Sequence, residues 1–422
     1  MERGTKEEAG HMAERFTVEQ RLVFAMARAA LDGVAEGCVD EGRLLAGTGL
    51  GHIPADVDWN SLFTISTRHA LNSIIYPVLG SIDSVPPKVR EAVRRSATRT
   101  ALQNYRLLVL TSQLVGHYRD NGFDVLVIKG IGTASYYPQM EMRKSGDVDL
   151  LVPSDTSLGR LINVGQQFGL QVAKTQHANH HVVFHTDDGI DVEVHLLPAE
   201  SFANKKINQG MMEVLPTYYD NVLERDVLGL KLPIPDKPHH AYQLLIHMLQ
   251  HFMYAGFGLK LLCDWRVFLE QDWTQEEWQE LEGLVGKCGL ERFAGLITCA
   301  CTGYLGLDGD RLPGWLRQDI PCEIFLEDIL EAEEFGYSSR ARMVMMEDSS
   351  LAAYAKEFQH QMHLNFPRLG RVWILWPGLW AFTLGRFLHN NRRVRKTSTA
   401  KILKKARERS RLMEMIDIFG GE

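Results

Sequence analysis

Residues 124–153 read DVLVIKGIGTASYYPQMEMRKSGDVDLLVP, and this stretch decides how the rest of the chain is read. Two apolar runs with the character of buried strands bracket a glycine-containing segment, and the second run carries Asp147 and Asp149. Residues two apart in a strand point to the same side, so both carboxylates leave one face while Val148, Leu150 and Val152 enter the core. Two like charges on a half-buried strand are costly unless a cation lies between them. The pattern therefore predicts a clamp for Mg2+, with Mn2+ as the alternative ion.

Outward from this stretch the grammar changes twice. Upstream, residues 16–37 have an amphipathic helical period, Asp58 can cap a helix running through DWNSLFTISTRHALNSIIYPVL, and Pro86-Pro87 opens a long helix to about Asp120. From Phe123 short β-like runs take over: DVLVIK, DVDLLV, LQVAKT, HHVVFHT and DVEVHLL, with a helix over residues 157–169. A proline-rich break at LPIPDKP ends this module, and helical periodicity then persists to the end. The expected architecture is α+β, a small mixed β-sheet module flanked by N- and C-terminal helical regions, divided at 1–122, 123–235 and 236–422.

Composition sets the outer bounds. The chain has 422 residues, 45% hydrophobic and 23% charged, with a net charge of −7 that argues against wholesale nucleic-acid binding. That total conceals a basic arm: from Arg386 to Arg411 there are eleven Lys or Arg residues against one acid, Glu408. Six scattered cysteines signal neither a zinc site nor a disulfide framework, and the charged N-terminus lacks an apolar signal segment, so a cytoplasmic location is expected.

The carboxylate pair needs a third acid for two-metal nucleotidyl transfer, and DVEVHLL supplies it. Asp191, Glu193 and His195 share one face of that run. Glu193 sits mid-strand, where the backbone is most rigid, whereas Asp191 lies beside a DDG turn and reads as a turn or cap residue. Asp147, Asp149 and Glu193 are thus the candidate catalytic and metal-holding residues. Upstream, Lys129-Gly130-Ile131-Gly132-Thr133 joins a strand to a helix, and its glycines, helix N–H groups and lysine suit a phosphate. Arg143 is a further candidate for the triphosphate.

VIKGIGTASYYPQMEMRKSGDVDLLVP resembles the KG-to-DxD core of the uncharacterised nucleotidyltransferase family related to the DNA polymerase β superfamily. The resemblance rests on Lys129-Gly130, Tyr137, Arg143 and the run 146–152, with Glu193-Val194-His195 similar to the family's acid-x-His motif. Asp58-Trp59, Asn104, His247, His251 and Asp264 resemble family landmarks. The chain departs from the wider superfamily in having Lys129-Gly130 where Gly-Ser stands, with a longer gap to the paired acids, and Leu196 where an aromatic is expected. The resemblance implies a five-stranded nucleotidyltransferase sheet between helical domains, an NTP as substrate, and Mg2+-dependent transfer of a nucleoside monophosphate. It also places His247 and His251 in the nucleotide or acceptor pocket.

Several features leave alternatives open. His247 and His251, at i and i+4, have zinc-binding spacing, but HMLQH lacks the glutamate of a zinc protease. His177, His180 and His181 cluster ahead of a strand. Asp264, on an apolar helix, calls for a buried partner, with Lys260 the nearest by spacing. The aromatic segment 372–388 and the basic arm are compatible with a last helical hairpin, with attachment to an anionic membrane, or with nucleic-acid contact. A small-molecule acceptor is favoured. The competing class is a catalytically silent nucleotide-binding or scaffold protein, peripheral to a membrane through its tail; a metal-dependent phosphohydrolase fits less well because the histidines form no HD pair.

Overall fold

The alternating run at 148–151 forms β2 (Val148–Leu151), the second strand of a five-stranded sheet. The protein is seen here in a computed structural model that describes residues 15–35, 37–173, 181–332, 350–367, 369–393, 399–416 and 418. The other strands are β1 (Leu126–Val127), β3 (Gln171–Val172), β4 (His181–His185) and β5 (Asp191–His195), in the order β1-β2-β5-β4-β3. Among the described strands of this sheet only β2 and β5 run parallel, and that pairing sets Asp149 directly opposite Glu193. All five strands coincide with runs expected from the sequence. His177 and His180 lie outside the described residues.

Helices precede the sheet. They are α1 (Val18–Leu31), α2 (Glu41–Leu45), α3 (Trp59–Arg68), α4 (Asn72–Gly80) and α5 (Pro87–Asp120). Asp58 caps α3 as expected, accepting from the amides of Asn60 and Ser61. The single helix expected after it is instead two, because Ala70 adopts a left-handed φ of 57° and the Asn72 side chain bonds Ser66 and Thr67 across the break. In the long α5, Asn104 is fully buried and its amide donates to the carbonyls of Met140, Glu141 and Arg143. This one side chain fixes the loop that delivers Asp147 to β2.

Between β1 and β2 lies the short turn of helix α6 (Ile131–Ala134), and α7 (Leu158–Gln167) joins β2 to β3. After β5 come α8 (Lys205–Val214) and a hairpin of β6 (Leu223–Val227) and β7 (Leu230–Ile234), which the sequence reading did not anticipate. Its turn residues Leu228 and Gly229 both have positive φ, 53° and 83°, and β7 lies against β1 and α5. The remaining helices are α9 (Lys237–Tyr254), α10 (Leu259–Leu269), α11 (Gln275–Cys288), α12 (Glu291–Leu305), α13 (Glu323–Ala332), α14 (Leu351–Asn365), α15 (Trp376–Arg393) and α16 (Thr399–Ile416). Every residue of α10 is buried. One apolar core runs from Phe16 to Ile418 and includes residues of both helical regions and the sheet.

The fold alters the expected surroundings of β2. The side carrying the carboxylates is not open to solvent: Asp149 is 3% and Leu151 0% exposed, so β2 is covered on both faces. The acids lie on the floor of a cleft whose far wall includes His247, Gln250, His251 and Tyr254 of α9.

Candidate active site

The cleft has a volume of about 620 Å³. It brings together Lys129, Gly130, Arg143, Asp147, Asp149, Glu193, His247 and His251, residues drawn from β1–α6, the loop before β2, β2, β5 and α9. Gly130 supplies the close approach. Its φ is 56°, and a Cβ there would stand 3.1 Å from the Asp147 carbonyl and 4.0 Å from Asp149 Oδ2. Gly132 and Thr133 are not brought to the cleft. Thr133 is buried within α6, and a Cβ on Gly132 would stand 3.1 Å from the Val127 carbonyl, so this glycine serves helix-to-strand packing.

Asp149 is the hub. Its Oδ1 takes the Lys129 ammonium at 2.6 Å and His195 Nε2 at 3.1 Å, and the same ring nitrogen lies 3.3 Å from Glu193 Oε2. Burial alone would raise the Asp149 pKa, but Lys129 and His195 outweigh it and hold this carboxyl far below the usual range. Glu193 is likewise lowered, its burial overcome chiefly by the hydrogen bond to His195. Asp147 goes the other way: repulsion from Asp149, then burial, push it up to about 7. The two aspartates thus divide into one that is ionised and one that resists ionising.

Ligand atoms of Asp149, Glu193 and His195 all lie within 4.8 Å of one another, a donor set that could coordinate a divalent cation. His195, one alternation beyond Glu193, joins the two acids in this set, and the acid-x-His run is its signal in the sequence. Asp147 stands outside this cluster. Asp236, His239 and Glu280 make a second cluster away from the cleft, but there Asp236 already caps α9 through the His239 amide and ring.

Arg143 departs from the expected triphosphate contact. Its Nε and one terminal nitrogen make two 2.7 Å bonds to the Asp264 carboxylate, and its other terminal nitrogen donates to the Gly130 carbonyl at 3.2 Å and Ser145 Oγ at 3.1 Å. Tyr137 Oη donates to the same Asp264 at 2.6 Å. Asp264 is therefore paired with Arg143 and Tyr137 rather than with Lys260, whose ammonium reaches toward the Lys144 carbonyl at 3.4 Å. Arg143 holds the glycine turn and the Asp147 loop together from behind.

A family model described as an uncharacterised nucleotidyltransferase matches residues 55–306 of the 422. The chain belongs to that family. No curated protein matches the sequence. The nucleotidyltransferase match runs from just before α3 to the end of α12 and takes in every residue lining the cleft. Helices α13 to α16 lie beyond it. In this member of the family His247 and His251 face each other with ring centroids 4.4 Å apart, and burial lowers both pKa values, His251 to about 4. Both rings line the cleft, and burial disfavours their charged forms.

The Asp147 shift gives a signed expectation. Its folded pKa of about 7 lies above the ordinary 3.8, so between those values the folded chain binds more protons than the unfolded one. Stability contributed here is present at low pH and lost as pH rises toward 7; Asp149 and Glu193, shifted downward from 3.8 and 4.5, instead contribute stability above those values that is lost as pH falls. Divalent cations favour the ionised form. Thermal unfolding should therefore show a larger rise in Tm on adding Mg2+ or Mn2+ at about pH 8 than at about pH 5.5. An equal rise at both would mean that Asp147 does not face the ion.

Proposed function

We propose that the chain transfers a nucleoside monophosphate from an NTP to a hydroxyl of an acceptor and releases pyrophosphate. The observation that carries this reading is the parallel pairing of β2 with β5, which opposes Asp149 to Glu193 with Asp147 one residue before the strand, beside the Gly130 turn. A divalent cation, Mg2+ or alternatively Mn2+, held by Asp147, Asp149 and Glu193 would withdraw charge from the triphosphate and the departing pyrophosphate.

The chain's own groups do the rest by position and charge. The open backbone at Gly130 lets a phosphate approach, and the Lys129 ammonium, 2.6 Å from Asp149 Oδ1, stands within the cleft to meet the β- or γ-phosphate. Arg143 acts through the turn it braces. Glu193, ionised because His195 stabilises its charged form, takes the proton from the acceptor hydroxyl. As the hydroxyl oxygen bonds to the α-phosphorus, the bond from that phosphorus to the bridging oxygen breaks and its electrons leave with pyrophosphate. The acceptor approaches from an adjoining pocket of about 300 Å³ that shares Lys144 and Ser145 with the cleft. Its lining of Ser, Thr, Asn, Gln and Arg99 suits a small polar acceptor.

One observation favours a silent nucleotide binder instead: Lys129, 2.6 Å from Asp149, already neutralises that carboxylate. Incubating the purified chain with α-labelled NTPs, Mg2+ and cell extract separates the two readings. Transfer produces a labelled product that EDTA abolishes. Calorimetric NTP binding with no labelled product from any NTP or extract would establish the silent binder.

A further inference from the structure

The C-terminal helices carry a surface that transfer chemistry does not use. Val372 to Leu375 form a turn leading into α15, and in it Trp373 is 74% and Ile374 68% exposed. On α15 Phe382 (59% exposed, its ring 5.4 Å from that of Phe366) and Leu384 stand exposed on either side of the buried Thr383. Residues 372–385 hold no charged side chain. A soluble surface seldom leaves so many large apolar groups uncovered within so short a stretch.

Charge identifies what covers it. Between Glu357 and Glu408 the sequence has no acid and eleven Lys or Arg residues. Arg371 and Arg386 are exposed at the two ends of the apolar stretch, and Lys404, Arg407 and Arg411 are exposed on α16. A second copy of the chain would bring the same cations to the interface and repel. RNA bases could stack on Trp373, Trp380 and Phe382, but the aliphatic Val372, Ile374, Leu375 and Leu384 exposed among them offer bases neither stacking nor hydrogen bonds. An anionic bilayer satisfies both halves, with acyl chains for the apolar stretch and headgroups for the arginines and lysines.

Length sets the depth. As helix, residues 372–385 extend about 20 Å, short of the ~30 Å hydrocarbon core, and no described helix is long and apolar enough to cross a membrane. Tryptophans such as Trp373, Trp376 and Trp380 favour the headgroup boundary. We propose that the turn 372–375 and the exposed face of α15 form an anionic-lipid docking surface that enters one leaflet without spanning it. The surface is tied to the cleft. Trp380 Nε1 donates to Gln359 on α14 at 2.7 Å, and His360 on the same helix bonds the Ser201 carbonyl at 2.8 Å, next to cleft residues Pro198 to Glu200. Docking therefore holds the cleft at the bilayer.

The test is vesicle co-sedimentation of the full chain, a readout independent of turnover. Vesicles of phosphatidylcholine with phosphatidylglycerol should capture the protein, and vesicles of phosphatidylcholine alone should capture much less. Trp373→Glu with Ile374→Glu, both exposed and so compatible with folding, should weaken capture at least about tenfold, as should Phe382→Glu separately. Absence of binding to the anionic vesicles, equal binding to neutral ones, or unchanged binding of both variants overturns the proposal. So does a dimer in sedimentation velocity, or capture of single-stranded RNA, that the same substitutions abolish while vesicle binding survives.

Discussion

Asp149→Asn is expected to reduce nucleotidyl transfer at least about a thousandfold while leaving the chain folded. The substitution is isosteric and keeps an oxygen where Oδ1 accepts from Lys129 and His195, so the local packing survives. What disappears is the negative charge at the centre of the site, the group best placed to hold a divalent cation. Lys129, 15% exposed at its side chain, reaches the cleft and can be hydrated when its partner is neutralised. A second consequence separates the metal role from general damage. Repulsion from Asp149 is the largest cause of the raised Asp147 pKa, so in the variant that pKa should fall and the loss of stability between about pH 4 and 7 should shrink. Pyrophosphate release and pH-dependent thermal unfolding read the two effects. Wild-type turnover in the variant would remove Asp149 from the chemistry.

Which parts of this were legible in the sequence follows from the range of the forces involved. The strands were readable because alternation and spacing are local, and Asp149 and Glu193 stood out as charges on otherwise apolar strands. Their register was not readable, since a parallel pair is joined only through the intervening chain. The β6–β7 hairpin was missed because its turn is Leu228-Gly229, which lacks the usual Asn-Gly signal, and because Pro233 looked like a break although it sits within β7. The break at Ala70 carries neither glycine nor proline; it is held by Asn72 on Ser66 and Thr67, and the neighbouring His69 ring accepts from the Leu259 amide across the fold. Gly130 and Gly132 look alike in sequence, and only the neighbours a Cβ would meet distinguish the cleft glycine from the packing glycine. Nothing in the sequence around Arg143 marks its partner Asp264, which lies 121 residues away.

That distant pairing gives the largest expected effect on stability. Arg143→Ala should destabilise the fold by about 3–5 kcal/mol, since it strands the fully buried Asp264 carboxylate without its cation. Asp264→Ala should cost a similar amount by leaving the guanidinium unpaired. The double replacement by apolar residues of matching volume should recover much of the loss, because the desolvation penalty of both charges vanishes together. Activity should not recover with it. The same guanidinium holds the Gly130 carbonyl and Ser145, and an apolar side chain leaves both the glycine turn and the Asp147 loop without that brace. Chemical denaturation of the three variants measures the first effect and labelled-NTP transfer the second. A double variant that regains both stability and transfer would show that Arg143 serves packing alone. One that regains stability only would show that the buried ion pair is kept to set the position of the phosphate turn and the acid that faces it.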